Sequence, residues 1–383
     1  MKIAVVLGTR PEAIKLATVV RRFLETPNQF DVRVIATAQH RGLLDQTLAA
    51  FSIRPDYDLD VMRPGQTLAE ATSRMVAALD PLLAREAPGM VVVQGDTTTT
   101  FCGALAAFYR GIPVAHVEAG LRTGDRAQPF PEEMNRVLAT RLSTLHFAPT
   151  QAAAANLTRE GVADSRIFVT GNTGIDAVLE TRAALGDGRL RATACEKIDP
   201  RRKLILVTAH RRESFGEGFG GICTALSRLA ERDDVQVIYP VHPNPNVRRA
   251  VAQASPRIEL IEPLDYVAFV ALMSQAHILL TDSGGVQEEG PSLGKPVLVM
   301  REKTERPEAV AAGTARLTGT DADCIVRETG FLLDDPDEYA RRSRIHNPYG
   351  DGRASSRIRD VIQAYESGGC GLAASASASW RHA

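Results

Sequence analysis

The sequence predicts an α/β protein of two doubly wound domains, each a parallel sheet covered by helices. Three observations carry that expectation. Short, β-rich apolar runs alternate with helical periodicity along most of the chain. The same plan recurs in the second half. Polar residues gather immediately after the apolar runs, where sheets of this kind hold their ligands.

In the first half Ile3–Leu7, Val32–Thr37, Met90–Val93, Val114–Val117 and Leu145–Phe147 read as buried strands. Unbroken apolar runs suit strands covered on both faces. Between them Phe101, Leu105 and Phe108 share one face at i, i+4 and i+7, which marks a helix. In the second half Arg166–Val169, Lys203–Val207, Val235–Pro240, Ile258–Ile261, Ile278–Thr281 and Val297–Met300 are strand candidates. Ile222, Ala225, Leu226 and Leu229 mark an intervening helix. So many strands exceed one compact sheet, and the chain is expected to divide near residues 165–175.

A length of 383 residues suits two domains. With 44% hydrophobic and 24% charged residues the composition is globular rather than disordered. Lys and Arg (45) nearly balance Asp and Glu (46), so charge gives no reason to expect nucleic acid or an anionic membrane as partner. The five cysteines, at 102, 195, 223, 324 and 370, are scattered, odd in number and without a CxxC pair. That argues against a disulfide framework or zinc ribbon and fits a reducing cytosol. The apolar run Ile3–Leu7 falls short of the roughly 7–15 residues of a signal core and the about 20 of a membrane span. A cytoplasmic protein is expected. Residues 367–383, rich in Gly, Ala and Ser, lack a core-forming pattern and read as a disordered tail in which Trp380 is incidental.

Chemistry-bearing residues follow the strands. Gly8-Thr9-Arg10-Pro11-Glu12 and Lys15 follow the first; Pro11 suits a first helical turn, and Arg10 and Lys15 bracket a helix N-terminus where phosphate could bind. A capped helix with two solvated cations is the alternative. Gln94-Gly95-Asp96 precedes four threonines, 97 to 100; Asp96 could be an N-cap, yet the surplus of hydroxyls favours a site. His116-Val117-Glu118 leads to Pro131-Glu132-Glu133, where first-turn glutamates are ordinary helix chemistry. Glu118, leaving a buried strand with no cation adjacent in sequence, is a candidate acid/base group. His210 sits beside Arg211 and Arg212 after another strand, suited to anions, and Val241-His242-Pro243 is a further polar strand end. In Thr281-Asp282-Ser283-Gly284-Gly285 a strand runs through a glycine turn into a helix whose free N–H groups suit a diphosphate. Glu289, one turn on, suits ribose hydroxyls. Thr304-Glu305-Arg306 is either a salt-bridged turn or delivers Arg306 to a phosphate. No His or Cys pair has zinc-ligand spacing and no GxSxG elbow occurs, so metal and acyl-enzyme chemistry lack support.

Together GTRPEAIK (8–15), TAQHRGLLDQ (37–46), QGDTTTT (94–100), HVEAGLRTGD (116–125), FPEEMNR (130–136), TGNTGIDAV (170–178), TAHRRESFG (208–216), YPVHPNPNVR (239–248), TDSGGVQEE (281–289), TERPEAVAAGT (304–314) and NPYGDGRAS (347–355) closely resemble the non-hydrolysing UDP-N-acetylglucosamine 2-epimerases, in order, from residue 1 to about 365. The resemblance implies two Rossmann-like domains of the glycosyltransferase-B type with an interdomain active-site cleft. Residues 1–169 would form the sugar side and 170–353 the UDP-binding side, with a terminal helix over 354–366 packing back on the first domain. It implies a homodimer that uses no cofactor. The reaction it implies is interconversion of UDP-N-acetylglucosamine and UDP-N-acetylmannosamine through an enzyme-bound 2-acetamidoglucal, for surface polysaccharide.

By the same resemblance Asp96, Glu118, Glu132 and His210 match the implicated catalytic groups, without saying which takes the proton. Arg10, Lys15, Ser283, Gly284, Gly285 and Arg306 would hold phosphates or sugar, Glu289 the ribose, Phe269 the uracil face, and Leu264 the uracil edge through backbone groups. Gln39, Arg211 and His242 match residues of a second site at which substrate activates some bacterial members, although Gly42 and Gly65 replace polar residues found there. Gly290 stands where the family often has Ala, expected to loosen its helix, and Glu302-Lys303 replaces a more usual Asp-Thr. A hydrolysing epimerase and a retaining glycosyltransferase are the alternatives. The first resembles this chain less at GTRPE and HRRE, and no acceptor groove for the second is evident.

Overall fold

The computed structural model describes residues 1–37, 41–209, 217–241, 251 and 255–368. The expected tail beyond 368 lies outside them, as do Gln39, His210, Arg211 and His242. The chain forms two compact units, Met1–Ala177 together with the segment from Tyr349, and Val178–Pro348.

The first unit is built on β1 (Lys2–Leu7), β2 (Asp31–Ala36), β3 (Tyr57–Asp58), β4 (Met90–Gln94), β5 (Val114–Val117), β6 (Leu145–Ala148) and β7 (Ile167–Val169). These strands pair in parallel in the order β3-β2-β1-β4-β5-β6-β7. The helices are α1 (Arg10–Leu24), α2 (Arg41–Ala50), α3 (Leu68–Glu86), α4 (Thr98–Tyr109), α5 (Glu132–Leu142), α6 (Gln151–Arg159) and α7 (Thr173–Gly186). The second unit carries β8 (Lys203–Thr208), β9 (Val235–Pro240), β10 (Ile258–Ile261), β11 (Ile278–Thr281), β12 (Val297–Val299) and β13 (Ala315–Leu317). They pair in the order β10-β9-β8-β11-β12-β13, again all parallel. Its helices are α8 (Glu217–Ala230), α9 (Tyr266–Gln275), α10 (Gly284–Ser292), α11 (Pro307–Ala312), α12 (Ala322–Asp334) and α13 (Pro336–Ser343), and α14 (Ala354–Glu366) returns to the first unit. Both units are therefore Rossmann-like. No described helix is long and apolar enough to cross a membrane.

The apolar runs work as expected: Ile3 to Leu7 and Met90 to Val93 are fully buried. All eleven expected strands are present, and β3 and β13, of two and three residues, join them as edge strands. Helix α8 buries Ile222, Ala225, Leu226 and Leu229. Helix α4 differs: Phe108 is exposed, and Cys102, Ala104, Ala106 and Ala107 are the buried face. A Cβ at Gly103 would stand 3.0 Å from Val93 and 3.4 Å from Val6, so small residues let α4 lie close on the sheet, with Phe101 and Leu105 half-buried beside them.

The division between units falls at Ala177/Val178, inside α7, and at Pro348/Tyr349. The first turns of α7 belong with α14, because Asp176 accepts hydrogen bonds from the N–H groups of Ala354 (3.1 Å) and Ser355 (2.8 Å). The hydroxyls of Ser355 and Thr18 meet at 2.7 Å, joining α14 to α1.

Gly290 does not loosen α10. A Cβ there would meet Leu279 at 2.6 Å and Val297 at 2.8 Å, so the glycine lets the helix sit against β11 and β12. Gly290→Ala is expected to cost about 1–3 kcal/mol by overpacking. Urea unfolding would show it as a lowered midpoint, and an unchanged midpoint would contradict the packing argument.

Candidate active site

In each sheet the strand order reverses between two neighbours, β1 and β4 in the first and β8 and β11 in the second. Connections leave such a pair to opposite sides, opening a crevice at the carboxyl ends where ligands bind. The segments following these four strands are among those that the sequence singled out; Glu118 follows β5 and Arg306 follows β12, the strands next to β4 and β11.

Thr9 caps α1, and its partner in the capping box, Glu12, does more than close that box. Glu12 is 1% exposed. Its Oε2 accepts from the N–H groups of Gly8 (3.0 Å) and Thr9 (2.7 Å). Its Oε1 accepts from the hydroxyl of Thr97 at 2.6 Å, with that of Thr100 at 3.2 Å. One carboxylate thus ties the exit of β1 to that of β4. It also occupies N–H groups that a phosphate at the α1 N-terminus would need, leaving the side chains of Arg10 and Lys15 as the cations there.

Burial raises the Glu12 pKa above its usual 4.5, and outweighs the hydrogen bonds from Thr97, Thr9 and Gly8 that lower it. A carboxyl whose pKa is higher folded than unfolded contributes stability that is present below the unfolded value and lost as pH rises through the folded one. Glu12→Gln has no such term. The stability of the native sequence relative to Glu12→Gln is therefore expected to fall from about pH 4.5 upward. Unfolding midpoints across that range test it, and a relative stability that grows with pH would contradict it.

Thr97, not Asp96, is the N-cap of α4: its Oγ1 accepts from Thr100 N at 3.1 Å. The other threonines are scaffold. Thr99 Oγ1 lies 2.9 Å from Thr37 Oγ1, and Thr100 Oγ1 donates to the Gln94 carbonyl at 2.6 Å. Asp96 is left as a side chain at the strand end, paired with Arg136 Nη2. Arg136 also meets Glu133 at 3.2 Å, and buried Glu133 accepts from the N–H groups of Thr123 (3.1 Å) and Gly124 (3.0 Å). Glu132, the first residue of α5, is half-buried, and its side chain bonds to no described residue.

Glu118 does have a cation, supplied from 103 positions earlier. Lys15 Nζ donates to Oε1 at 2.6 Å and to Oε2 at 2.7 Å. The buried Gln94 amide donates to Oε2, and Asn172 Nδ2 lies 3.5 Å from Oε1. Glu118 has a φ of 63°, left-handed backbone that costs a non-glycine residue about 1–3 kcal/mol and persists only where surroundings enforce it. Lys15 consequently serves this carboxylate rather than standing as a cation reserved for phosphate. His116, fully buried, has Nε2 2.7 Å from the Gly95 carbonyl, and burial lowers its pKa to about 4. It is neutral near pH 7 and props the Gly95 turn, whose φ is 75°.

In the second unit Ser283 is the N-cap of α10, yet its side chain makes no capping bond. Its own N–H donates to Thr281 Oγ1 at 2.9 Å. The first-turn N–H groups of α10 are thus left without a side-chain cap, and Gly285 is exposed, the nearest atom to a Cβ there being Ser283 Oγ at 3.8 Å. Glu289 is half-buried one turn in. Arg306 Nε donates to Glu288 Oε1, so this cation is held by a buried carboxylate. Thr304 donates to Gln287 Oε1 at 2.6 Å, and Gln287 Nε2 to the Ser283 carbonyl at 3.2 Å, bracing the glycine turn against the loop after β12. Leu264 and Phe269 are half-buried around the start of α9, which Asp265 caps through Ala268 N at 2.8 Å.

Sequence reasoning assigned no role to Gln94, Asn172 or Glu12. Gln94 carried a signal, a polar residue closing an apolar strand, and Thr9-x-x-Glu12 has capping-box spacing; the bonds of Glu12 to Thr97 and of Asn172 to Glu118 come from distant segments.

A family model described as UDP-N-acetylglucosamine 2-epimerase matches residues 22–363. The chain belongs to that family. The UDP-N-acetylglucosamine 2-epimerase of Escherichia coli K12 is 55% identical over 371 residues, covering 95% of this chain and 98% of its own. That of Bacillus subtilis is 52% identical over 366 residues, covering 94% and 95%. The crystal structure of UDP-GlcNAc 2-epimerase from Neisseria meningitidis bound to UDP-GlcNAc superposes with a TM-score of 0.86 at 46% identity, over 94% of this chain and 99% of its own. The expected family and its glycosyltransferase-B-like fold class of two Rossmann-like domains are therefore correct.

Proposed function

We propose that this chain interconverts UDP-N-acetylglucosamine and UDP-N-acetylmannosamine without hydrolysis. The observation that carries the reading is the pair of carboxylates at adjacent strand ends: Asp96 after β4, set by Arg136, and Glu118 after β5, set by Lys15 and Gln94. Inverting C2 needs proton removal on one face and delivery on the other, so more than one acid/base group is required. A base takes the C2 proton, the C–H electron pair becomes the C1–C2 double bond, and UDP leaves with the C1–O pair. The product is 2-acetamidoglucal. UDP then adds back to C1 as a second acid protonates C2 on the opposite face. Oxidation level is unchanged at the end, and the cycle calls for no redox cofactor.

Asp96, Glu118, Glu132 and His210 supply the acid/base groups in this reading. The departing diphosphate carries growing charge, which oriented N–H groups stabilise without reorganising. The uncapped first turn of α10, with Ser283, Gly284 and Gly285, fits that task, and Arg10 and Arg306 add positive charge. Glu289 takes the ribose, and Leu264 and Phe269 the uracil. Gln39, Arg211 and His242 are assigned to a second, activating substrate site. The protein acts in the cytoplasm as a homodimer, supplying a surface polysaccharide precursor; exposed Phe108, Tyr109 and Leu138 offer apolar surface to a second copy.

Incubating the purified chain with either nucleotide sugar and separating the products by anion exchange tests the reading. Both starting sugars should reach the same mixture with the UDP linkage intact. Free UDP and N-acetylmannosamine accumulating instead would make the chain a hydrolysing enzyme.

A further inference from the structure

We propose that Gln94 is a positioning residue for the reaction: its amide donates to Glu118 Oε2 and, together with Lys15, holds that carboxylate in the orientation from which it acts at C2. The inference rests on the reading of Glu118 as an acid/base group.

Gln94 ends a strand otherwise made of Met and Val and is 3% exposed, a place where an amide is costly unless its polar atoms are bonded. Its neighbour in the ladder is Val117, one residue before Glu118. A carboxylate only accepts hydrogen bonds, so the Gln94 atom facing Glu118 is the nitrogen. The backbone from which Gln94 projects is fixed. Its main-chain carbonyl accepts from Thr100 Oγ1 at 2.6 Å, and the next main-chain carbonyl, that of Gly95, lies 2.7 Å from His116 Nε2. Glu118 needs such a fixed donor, because its left-handed backbone takes the side chain out of the ordinary alternation of the strand. A neutral amide is also the donor that leaves the Lys15–Glu118 charge balance intact. Glutamate at 94 would set a second carboxylate against Glu118, and lysine would add a second cation.

Among the described charged or titratable groups near Glu118 are Lys15 from α1 and His116 on β5, the strand that precedes it; Arg122 and Arg136, the latter paired with Asp96 after β4, act on the same His116. His116 is buried and neutral near pH 7, so it contributes no charge to compete with Lys15.

Two variants of the full chain decide the matter, assayed for epimerisation against pH alongside UDP binding and unfolding midpoint. Gln94→Met keeps length and volume but donates nothing. Its kcat should fall roughly 10- to 100-fold, the equivalent of one hydrogen bond to a charged group, with KM within about threefold. Gln94→Glu should move the acidic limb of kcat/KM to higher pH by about one unit or more, because like charges resist ionising together. A structural role alone would lower the unfolding midpoint and leave that limb in place. An unmoved limb in Gln94→Glu overturns the proposal. If Gln94→Glu fails to fold, Gln94→Met decides: a fall confined to kcat supports the proposal, and native kinetics or a change confined to KM overturns it. Absence of turnover in the unsubstituted chain would instead sink the epimerase reading itself.

Discussion

Glu118→Gln is expected to lower kcat by roughly two to four orders of magnitude, the usual scale for a general acid or base, and to leave substrate binding near intact. Both Glu118 oxygens accept hydrogen bonds, from Lys15 at 2.6 and 2.7 Å, from Gln94 and from Asn172. Glutamine keeps the volume but replaces one acceptor with an NH2 group, which must then face Lys15 or Gln94, both of them donors. The variant therefore loses the charge, the proton-accepting atom and the geometry together. A rate that falls without a matching loss of affinity marks an interaction used in the transition state. Steady-state kinetics with calorimetric binding of UDP-N-acetylglucosamine separates the two. Lost binding with undiminished turnover would be incompatible with a catalytic Glu118.

Gly120→Ala is expected to destabilise the protein by about 3 kcal/mol or more. Gly120 has a φ of 91°, which an alanine adopts only under strain. A Cβ there would stand 2.3 Å from the carbonyl oxygen of Ala153 and 2.8 Å from its carbon, inside α6. These are backbone atoms and cannot turn aside as a side chain can. The Gly120 carbonyl also accepts from Asn156 Nδ2 at 2.8 Å, so the contact with α6 is fixed from both directions. Gly124 is the control: its φ is 78°, but nothing lies within 4 Å of a Cβ, so alanine there meets the backbone penalty alone, about 1 kcal/mol. Urea unfolding of the two variants should separate them clearly. Equal midpoints would show that α6 yields, and because Gly120 lies two residues after Glu118, such yielding would reach the site.

These residues also mark what could be read in the sequence. Strands were legible because burial on both faces leaves unbroken apolar runs, as in Ile3–Leu7 and Ile278–Thr281. The edge strands Tyr57–Asp58 and Ala315–Leu317 are too short to leave a pattern. In α8 the apolar stripe and the buried face coincide, whereas in α4 the expected stripe is only partly buried, Phe101 packing against the core and Phe108 exposed, because small residues take the close contact with the sheet. The strand-end positions of Asp96, Glu118 and Ser283 followed from the alternation of strand and helix. Their partners did not. Lys15 reaches Glu118 across 103 positions, and Glu12 reaches Thr97 across 85, and no local pattern encodes a contact of that separation. Which residue caps α4 was ambiguous locally, since Asp96 and Thr97 are adjacent and both suit an N-cap, and it is Thr97 that caps; Arg306 is engaged by Glu288, 18 positions earlier.

In the proposed reaction C2 loses its proton while the UDP linkage breaks and re-forms. Proton NMR of UDP-N-acetylglucosamine incubated with the purified chain in deuterated water tests it most directly. UDP-N-acetylmannosamine carrying deuterium at C2, deuterium entering the remaining UDP-N-acetylglucosamine, and little free UDP are the expected result. Epimerised product that retains hydrogen at C2 would contradict proton exchange through an enzyme-bound glucal and with it the roles given to Asp96 and Glu118.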